Sequence, residues 1–262
     1  MNYETLVLEK QQQIAILTMN LPESLNAMDF QMAEDFKHAI SDVKRDPEIK
    51  VLLLTGQGSS FCSGGSLETI VQIYNAPPAQ GQINGLSFYE CFLSIKELSI
   101  PTIAILKGYV IGAGLCLAMA CDMRIASTDS KLAMSFVKLA LNPGMGGTYS
   151  LPRLVGVTKA LELCLTGDTI DAGEALRIGL VNHIVSTEEL MEFSLGIGRR
   201  IASNPAVAVR LIKELIYKNQ NLDLASCLMN ESLVQAICAS TDDMKEGISA
   251  IKEKRRPQFK GH

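Results

Sequence analysis

Tryptophan is absent from the 262 residues, and aromatics make up only 5% of the chain. Stacking platforms for single-stranded nucleic acid are built from such rings, so that class of binder is disfavoured. A basic excess is missing too. Twenty-four lysines and arginines face 28 acids, for a formal net charge of -4. The electrostatic footprint of a nucleic-acid partner is not in the total. No apolar run approaches the roughly 18 residues of a membrane span, so no membrane partner is expected. The opening MNYETLVLEKQQQIA has no basic stretch followed by an apolar one. It does not read as a secretory signal, and the expected location is cytoplasmic.

Metal and redox signatures are equally scarce. The cysteines are Cys62, Cys91, Cys116, Cys121, Cys164, Cys227 and Cys238. Their number is odd, no C-x-x-C occurs, and no Cys/His pair has zinc-site spacing. Most lie in apolar runs, where a free thiol behaves as a small hydrophobe, so reduced core thiols are expected. His38 falls on the polar side of a predicted helix, His183 in a turn into a strand, and His262 at the terminus. None suggests a Ser-His-Asp arrangement. Neither G-x-G-x-x-G nor G-x-x-x-x-G-K-[ST] occurs, so nucleotide-phosphate cradles lack support.

What is present is an ordinary globular balance, 47% hydrophobic and 20% charged. Short β-rich runs at 4–9 and 13–19 read as a hairpin. Met28, Met32, Phe36, Ile40 and Val43 recur at helical spacing up to about Lys44. Ile49–Thr55, Pro101–Leu106 and Asp122–Ala126 read as strands, and Phe88–Glu97 as a helix. Strand and helix alternate through the first 190 residues, which predicts an α/β core with sheet layers. After Ser186 the segments 187–202, 205–218, 222–238 and 242–254 all read as amphipathic helices. Asn204-Pro205 punctuates them, and Ser240-Thr241-Asp242 is a cap signal. The expected division is a core over 1–190 and a helical region over 191–262.

Two glycine-rich corners are the informative features. Phe61-Cys62-Ser63-Gly64-Gly65-Ser66-Leu67 follows a strand and opens a helix, and Gly112-Ala113-Gly114 does the same further on. Each offers backbone N–H groups at a helix N-terminus, where orphan donors and the dipole favour negative charge. Two such corners facing each other would cradle one developing oxyanion, and small residues let the backbone approach it. Either corner by itself is an ordinary tight turn.

The order of motifs resembles the crotonase (enoyl-CoA hydratase/isomerase) superfamily. The matching pieces are Leu25-Asn26-Ala27-Met28, Phe61-Cys62-Ser63-Gly64-Gly65, and Gly108 through Gly114 with Cys121-Asp122 after it. Further on come Lys138 through Thr148, Leu151-Pro152-Arg153, Thr166-Gly167, Gly179-Leu180-Val181 and the closing Lys254 through Phe259. The resemblance implies a spiral of ββα units followed by C-terminal helices that form a homotrimer or a hexamer. It implies a substrate carried as a thioester of coenzyme A or of a carrier protein's phosphopantetheine arm, with no separate cofactor. It assigns the oxyanion hole to the N–H groups of Gly65 and Ala113. Ala27, Ser63, Gly64, Ser66, Leu67, Glu68, Gly112, Cys116, Phe136, Asn142 and Gly144 are the substrate-binding candidates around it.

The departures from the family pattern bear on the reaction. Cys116 and Phe136 stand where the family's hydratases carry glutamates, and Gly144 where its isomerases often carry an acid. Adding water to a conjugated double bond needs a base and an acid, which a thiol and a phenyl ring do not replace. Three readings follow. The first is an enolate-stabilising decarboxylase or isomerase. Ser63 through Ser66 and Ser135 through Gly146 also resemble the decarboxylating crotonases of polyketide β-branching. That subgroup's lysine has no counterpart between Leu67 and Ser87, and Asn230 takes the place of its histidine. The second is a hydratase working through Glu68, Asn142 or Tyr149. The third is a catalytically silent fold that binds thioesters or acts as a scaffold.

Overall fold

The computed structural model describes residues 3–261, so His262 lies outside the described residues. The expected hairpin opens the chain. β1 (Leu6–Gln11) and β2 (Ile14–Met19) pair antiparallel, with Leu6 opposite Met19 and Gln11 opposite Ile14. α1 (Phe30–Arg45) starts two residues later than its apolar spacing suggests. The Asp29 carboxylate caps it by accepting from the Met32 N–H at 2.7 Å. Next come β3 (Val51–Gly56), α2 (Leu67–Tyr74), α3 (Pro78–Leu93), β4 (Thr102–Leu106), β5 (Tyr109–Ile111) and α4 (Ala113–Ala120). They are followed by β6 (Met123–Ser127), β7 (Lys131–Ala133), α5 (Gly147–Val155), α6 (Val157–Thr166), β8 (Thr169–Asp171), α7 (Ala172–Arg177) and β9 (His183–Val185). Four helices close the chain: α8 (Leu190–Ala202), α9 (Ala206–Asn219), α10 (Leu224–Ala239) and α11 (Asp242–Glu253).

Two sheets result, ordered β1-β2-β3-β4-β6-β9 and β5-β7-β8. From β2 to β9 the large sheet is parallel. Its side chains alternate with the pleat. Ala15, Leu17, Leu52, Leu54, Ala104, Leu106 and Ala126 face the main core. Ile14, Ile16, Val51, Leu53, Ile103, Ile105 and Ile125 face the other way and are covered by Leu190, Leu195, Ile197 and Ala202 of α8. Burial on both faces is what makes these strands read as unbroken apolar runs.

The spiral is visible in the way a strand of the large sheet hands over to the small one and then to a helix. β4 passes to β5 and α4, and β6 passes to β7, a 3-10 turn at Ser135–Leu139 and α5. In the unit that starts with β3 the second strand shrinks to a single bridge between Cys62 and Val110 before α2 begins. The strands of the small sheet are only three residues long, too short to show a period in the sequence. α3 starts ten residues earlier than Phe88, because Gly81 and Gly85 weaken the helical reading. Both glycines have a packing task. A Cβ on Gly81 would lie 3.0 Å from the Ile73 carbonyl oxygen, and one on Gly85 3.6 Å from Ile73 Cγ2. Among the described residues no helix is long and apolar enough to cross a membrane.

Candidate active site

The first corner is strapped down by the segment Leu25–Met28. The Met28 N–H donates to the Gly64 carbonyl at 2.7 Å, Ser66 N–H to the Met28 carbonyl at 2.9 Å, and Ser63 N–H to the Leu25 carbonyl at 3.0 Å. Asn26 holds the strap itself. It is fully buried, and its amide donates to the Gln57 and Ser60 carbonyls at 2.9 Å each. Ala27 is half-buried within this strap. Gly64 has φ +105°, a conformation that a side chain would strain.

The second corner is laced directly to the first. Cys62 N–H donates to the Tyr109 carbonyl and Ile111 N–H to the Cys62 carbonyl, both at 3.0 Å. Gly114 packs so tightly on Cys62 that a Cβ there would approach Cys62 Cβ to 2.7 Å. Gly112, with φ +54°, turns the chain into α4, so that Ala113 begins the helix. A Cβ on Gly64 would point between the corners, 3.1 Å from the Ile111 carbonyl oxygen and 3.8 Å from the Ala113 nitrogen.

Among the described residues, neither the Gly65 N–H nor the Ala113 N–H donates to a protein acceptor. Ala113 is nevertheless buried. A buried, unpaired backbone donor is uncommon, because it forfeits its hydrogen bond to water without replacing it. Here two unpaired donors sit at adjoining corners, one on half-buried Gly65 just ahead of the Ser66 cap of α2 and one on buried Ala113 at the first residue of α4. Ile70 of α2 roofs the first, its side chain 3.6 Å from where a Gly65 Cβ would stand.

Three positions far apart in sequence meet at the second corner. The Cys116 thiol, on the first turn of α4, donates to the Gly144 carbonyl at 3.4 Å. The Phe136 ring stands 3.8 Å from where a Gly112 Cβ would be. Burial, and secondarily the neighbouring Cys164, push the Cys116 thiol well above the ordinary thiol range. Burial also pushes the Cys62 thiol up to about 12. Both are neutral at physiological pH. No carboxylate is hydrogen-bonded to Cys116, Gly144, Gly65 or Ala113 among the described residues.

The remaining candidates are not gathered in. Leu67 and Glu68 are exposed on the first turn of α2. The Ser66 hydroxyl caps that helix, accepting from Thr69 N–H at 3.1 Å, and the Ser63 hydroxyl donates to the Ser24 carbonyl at 3.2 Å. Asn142 is exposed and its amide donates to the Pro143 carbonyl. Tyr149 lies under the Arg153 guanidinium, 3.6 Å from its ring centre. Asn230 sits on α10 and bonds Asn219. One group missed in the sequence lies against Gly144. Tyr89 of α3 places its hydroxyl 2.5 Å from where a Gly144 Cβ would stand. Its only sequence signal is a place one helical turn beyond Gly85.

Cys121-Asp122 is a structural motif. The Asp122 carboxylate accepts from Thr102 N–H at 2.7 Å, Lys213 at 2.8 Å and the Tyr217 hydroxyl at 2.8 Å, and so ties α9 to the large sheet. A cavity of about 860 Å³ opens beside it, between the C-terminal end of α4, α5 and α9. It lies at the opposite end of α4 from Ala113, roughly 12 Å away by helix rise. Among the described residues no group of three or more His, Cys, Asp or Glu is placed to hold a metal ion.

The chain matches the family model described as Enoyl-CoA hydratase/isomerase over residues 9–262. It is 37% identical over 260 residues to the crotonyl-CoA hydratase of Syntrophomonas wolfei, covering 99% of each chain. It is 34% identical over 256 residues to the (E)-benzylidenesuccinyl-CoA hydratase of Thauera aromatica, covering 97% of this chain and 98% of that one. Its fold superposes with a TM-score of 0.93 on the crystal structure of an enoyl-CoA hydratase from Bacillus anthracis, at 32% identity, with 99% of this chain and 100% of that one covered.

Proposed function

The chain belongs to the enoyl-CoA hydratase/isomerase family, and on that basis we propose that it holds an acyl-thioester enolate at Gly65 and Ala113 and works as a decarboxylase or isomerase. The observation that carries this reading is the pair of unpaired N–H donors at two interlaced corners, one of them buried. A thioester oxygen seated between them would receive two hydrogen bonds that strengthen as it gains charge. The carrier is coenzyme A or a phosphopantetheine arm.

The residues around the hole favour decarboxylation. In a β-carboxyacyl thioester the bond from the α-carbon to the carboxylate breaks and CO2 leaves. The electron pair passes through the α-carbon to the thioester oxygen, and a proton then closes a new C–H bond. No base is needed. Hydration needs one to activate water, and isomerisation needs one to take a proton from carbon. Cys116 as a neutral thiol, Phe136 and Gly144 supply none.

A panel of enoyl, 3-enoyl and β-carboxyacyl thioesters, on coenzyme A and on carrier protein, tests the reading. CO2 release from a β-carboxyacyl thioester is expected, and Ala113→Pro should lower it about 100- to 1,000-fold. Proline is tolerated at the first position of a helix, so this change removes the N–H with little cost to α4. Fast hydration of the enoyl thioesters, or an unaffected proline variant, would overturn the reading.

A further inference from the structure

The cavity of about 860 Å³ beside Asp122 lies away from the two corners, and its charge is the reverse of the molecule's. The whole chain has a formal net charge of -4. Lys96, Arg124, Arg153, Arg210, Lys213 and Lys218 line the cavity, against only the carboxylates of Glu97, Asp122 and Glu214. Asp122 is already saturated. One of its oxygens accepts from the Thr102 N–H, the Thr102 hydroxyl and Lys213, and the other from the Tyr217 hydroxyl. Lys213 thus has its counter-charge, and Glu97 meets Lys44 at 3.2 Å.

Arg124 has no counter-charge. It is 4% exposed, and its guanidinium donates only to backbone carbonyls, Nε to Leu180 at 2.7 Å and Nη1 to Cys121 at 2.8 Å. Among the described residues no carboxylate lies within ion-pair distance of it, and Nη2 donates to no protein acceptor. Yet no fully buried side-chain nitrogen or oxygen among them lacks a partner. Nη2 therefore reaches open space, and the open space that Arg124 lines is the cavity. A buried guanidinium with its charge unpaired is costly, and a bound anion would offset that cost. Lys96 shares this wall, since its Nζ stands 5.1 Å from the centre of the Tyr217 ring and Tyr217 bonds Asp122. Burial first, and then the charges of Lys213 and Arg124, push the Lys96 ammonium below the ordinary lysine range against the pull of Asp122. Three cations thus crowd one carboxylate.

We propose that this cavity is a binding site for a phosphorylated small molecule carrying at least two negative charges, with Arg124, Lys96 and Arg210 as its cationic contacts. A guanidinium edge suits phosphate oxygens, and Lys96 adds a point charge. The volume is that of an ordinary small-molecule site. The rings of Tyr149 and Tyr217, with Met119, Leu154 and Ile216, give the body of such a ligand an apolar wall. The site requires no thioester chemistry and stands independently of the function proposed above.

Inorganic pyrophosphate is the probe, titrated into the full chain by calorimetry at low salt. One equivalent per chain is expected, with affinity falling as salt is raised. Arg124 is too deeply buried to be replaced without disturbing the fold, so the exposed cations carry the test. Lys96→Gln and Arg210→Gln should each weaken binding about 10-fold or more, the worth of one hydrogen bond to a charged group, and the double variant further. Lys245→Gln, on α11 and outside the cavity, should bind as the wild type does. At about 100 times its dissociation constant, pyrophosphate should raise the unfolding midpoint of the wild type by about 5 °C and barely move that of the double variant. Coenzyme A carries phosphates of the same kind. If it displaces pyrophosphate, the site takes a substrate's head group, and if it does not, a separate small molecule; the cavity is a phosphate site in both cases. No binding by the wild type at millimolar pyrophosphate overturns the proposal, whether the cavity is open or covered by a second copy. A double variant with wild-type affinity overturns it as well. So does a Lys245→Gln change that weakens binding as much as Lys96→Gln, because that marks diffuse attraction to the surface.

Discussion

At Cys116 the proposed chemistry turns on a single side chain. Its thiol is buried, points at the Gly144 carbonyl and is held protonated by its surroundings. A carboxylate in its place would offer a base, and a thiol pushed to higher pKa by desolvation does not. The Phe136 ring contributes surface only. We therefore expect negligible hydration of crotonyl-coenzyme A, measured as ultraviolet loss of the enoyl thioester. A positioned general acid or base is worth roughly 100- to 10,000-fold. A Cys116→Glu, Phe136→Glu double variant should gain activity if the oxyanion hole is intact. Wild-type turnover near the ordinary enzyme rate of about 10 s⁻¹ would show that the missing acids do not matter. The two glycine corners were legible in the sequence because each is a local motif. Tyr89 was not. Its placement depends on a tertiary contact with Gly144, and neither residue signals the other.

Among the elements, the inner strands of the large sheet were legible because burial on both faces leaves continuous apolar runs. The closing helices were legible by their period and caps. The Thr241 hydroxyl, for example, accepts from Met244 N–H at 3.3 Å. The first turns of α3 were hidden by glycines that serve packing, and the small sheet by the shortness of its strands. The sequence change after Ser186 is not where the packing changes. α8 belongs to the back of the large sheet, and only from α9 onward are core contacts sparse. α9 is held instead by polar contacts. Lys213 meets Asp122 at 2.8 Å with side chains only 11% and 16% exposed, and also donates to the Ile100 carbonyl at 2.8 Å. Removing one partner of a buried pair leaves a charge uncompensated, at about 3–5 kcal/mol. Lys213→Met is expected to lower unfolding free energy by about 3 kcal/mol, since this pair keeps some exposure. Adding Asp122→Asn should recover part of the loss. Urea denaturation of the single and double variants checks this, and an additive double variant would show that the two residues are not coupled.

For the whole molecule, the surface is larger than the size scaling of compact monomers gives. A compact monomer of 28.4 kDa exposes about 11,000 Å². This chain exposes 13,638 Å². The excess of roughly 2,500 Å² falls in the range of obligate interfaces rather than transient ones. Many exposed apolar side chains lie on the closing helices. No residue of α9 or α10 is buried, yet Leu224 is 74% exposed and Met229 76%, with Ile216, Leu228, Leu233 and Ile251 exposed beside them. Exposed apolar side chains in such number on neighbouring helices favour association through them. We expect a trimer or a hexamer, with a sedimenting mass three or six times 28.4 kDa at micromolar concentration. Leu228→Lys with Leu233→Lys should shift the distribution toward monomer, because each lysine would have to leave water inside an apolar contact. Both positions are exposed in the single chain, so the pair should leave its far-ultraviolet circular dichroism unchanged. A wild type that sediments as a monomer would contradict assembly outright. A double-lysine variant with unchanged mass would place the interface on another face.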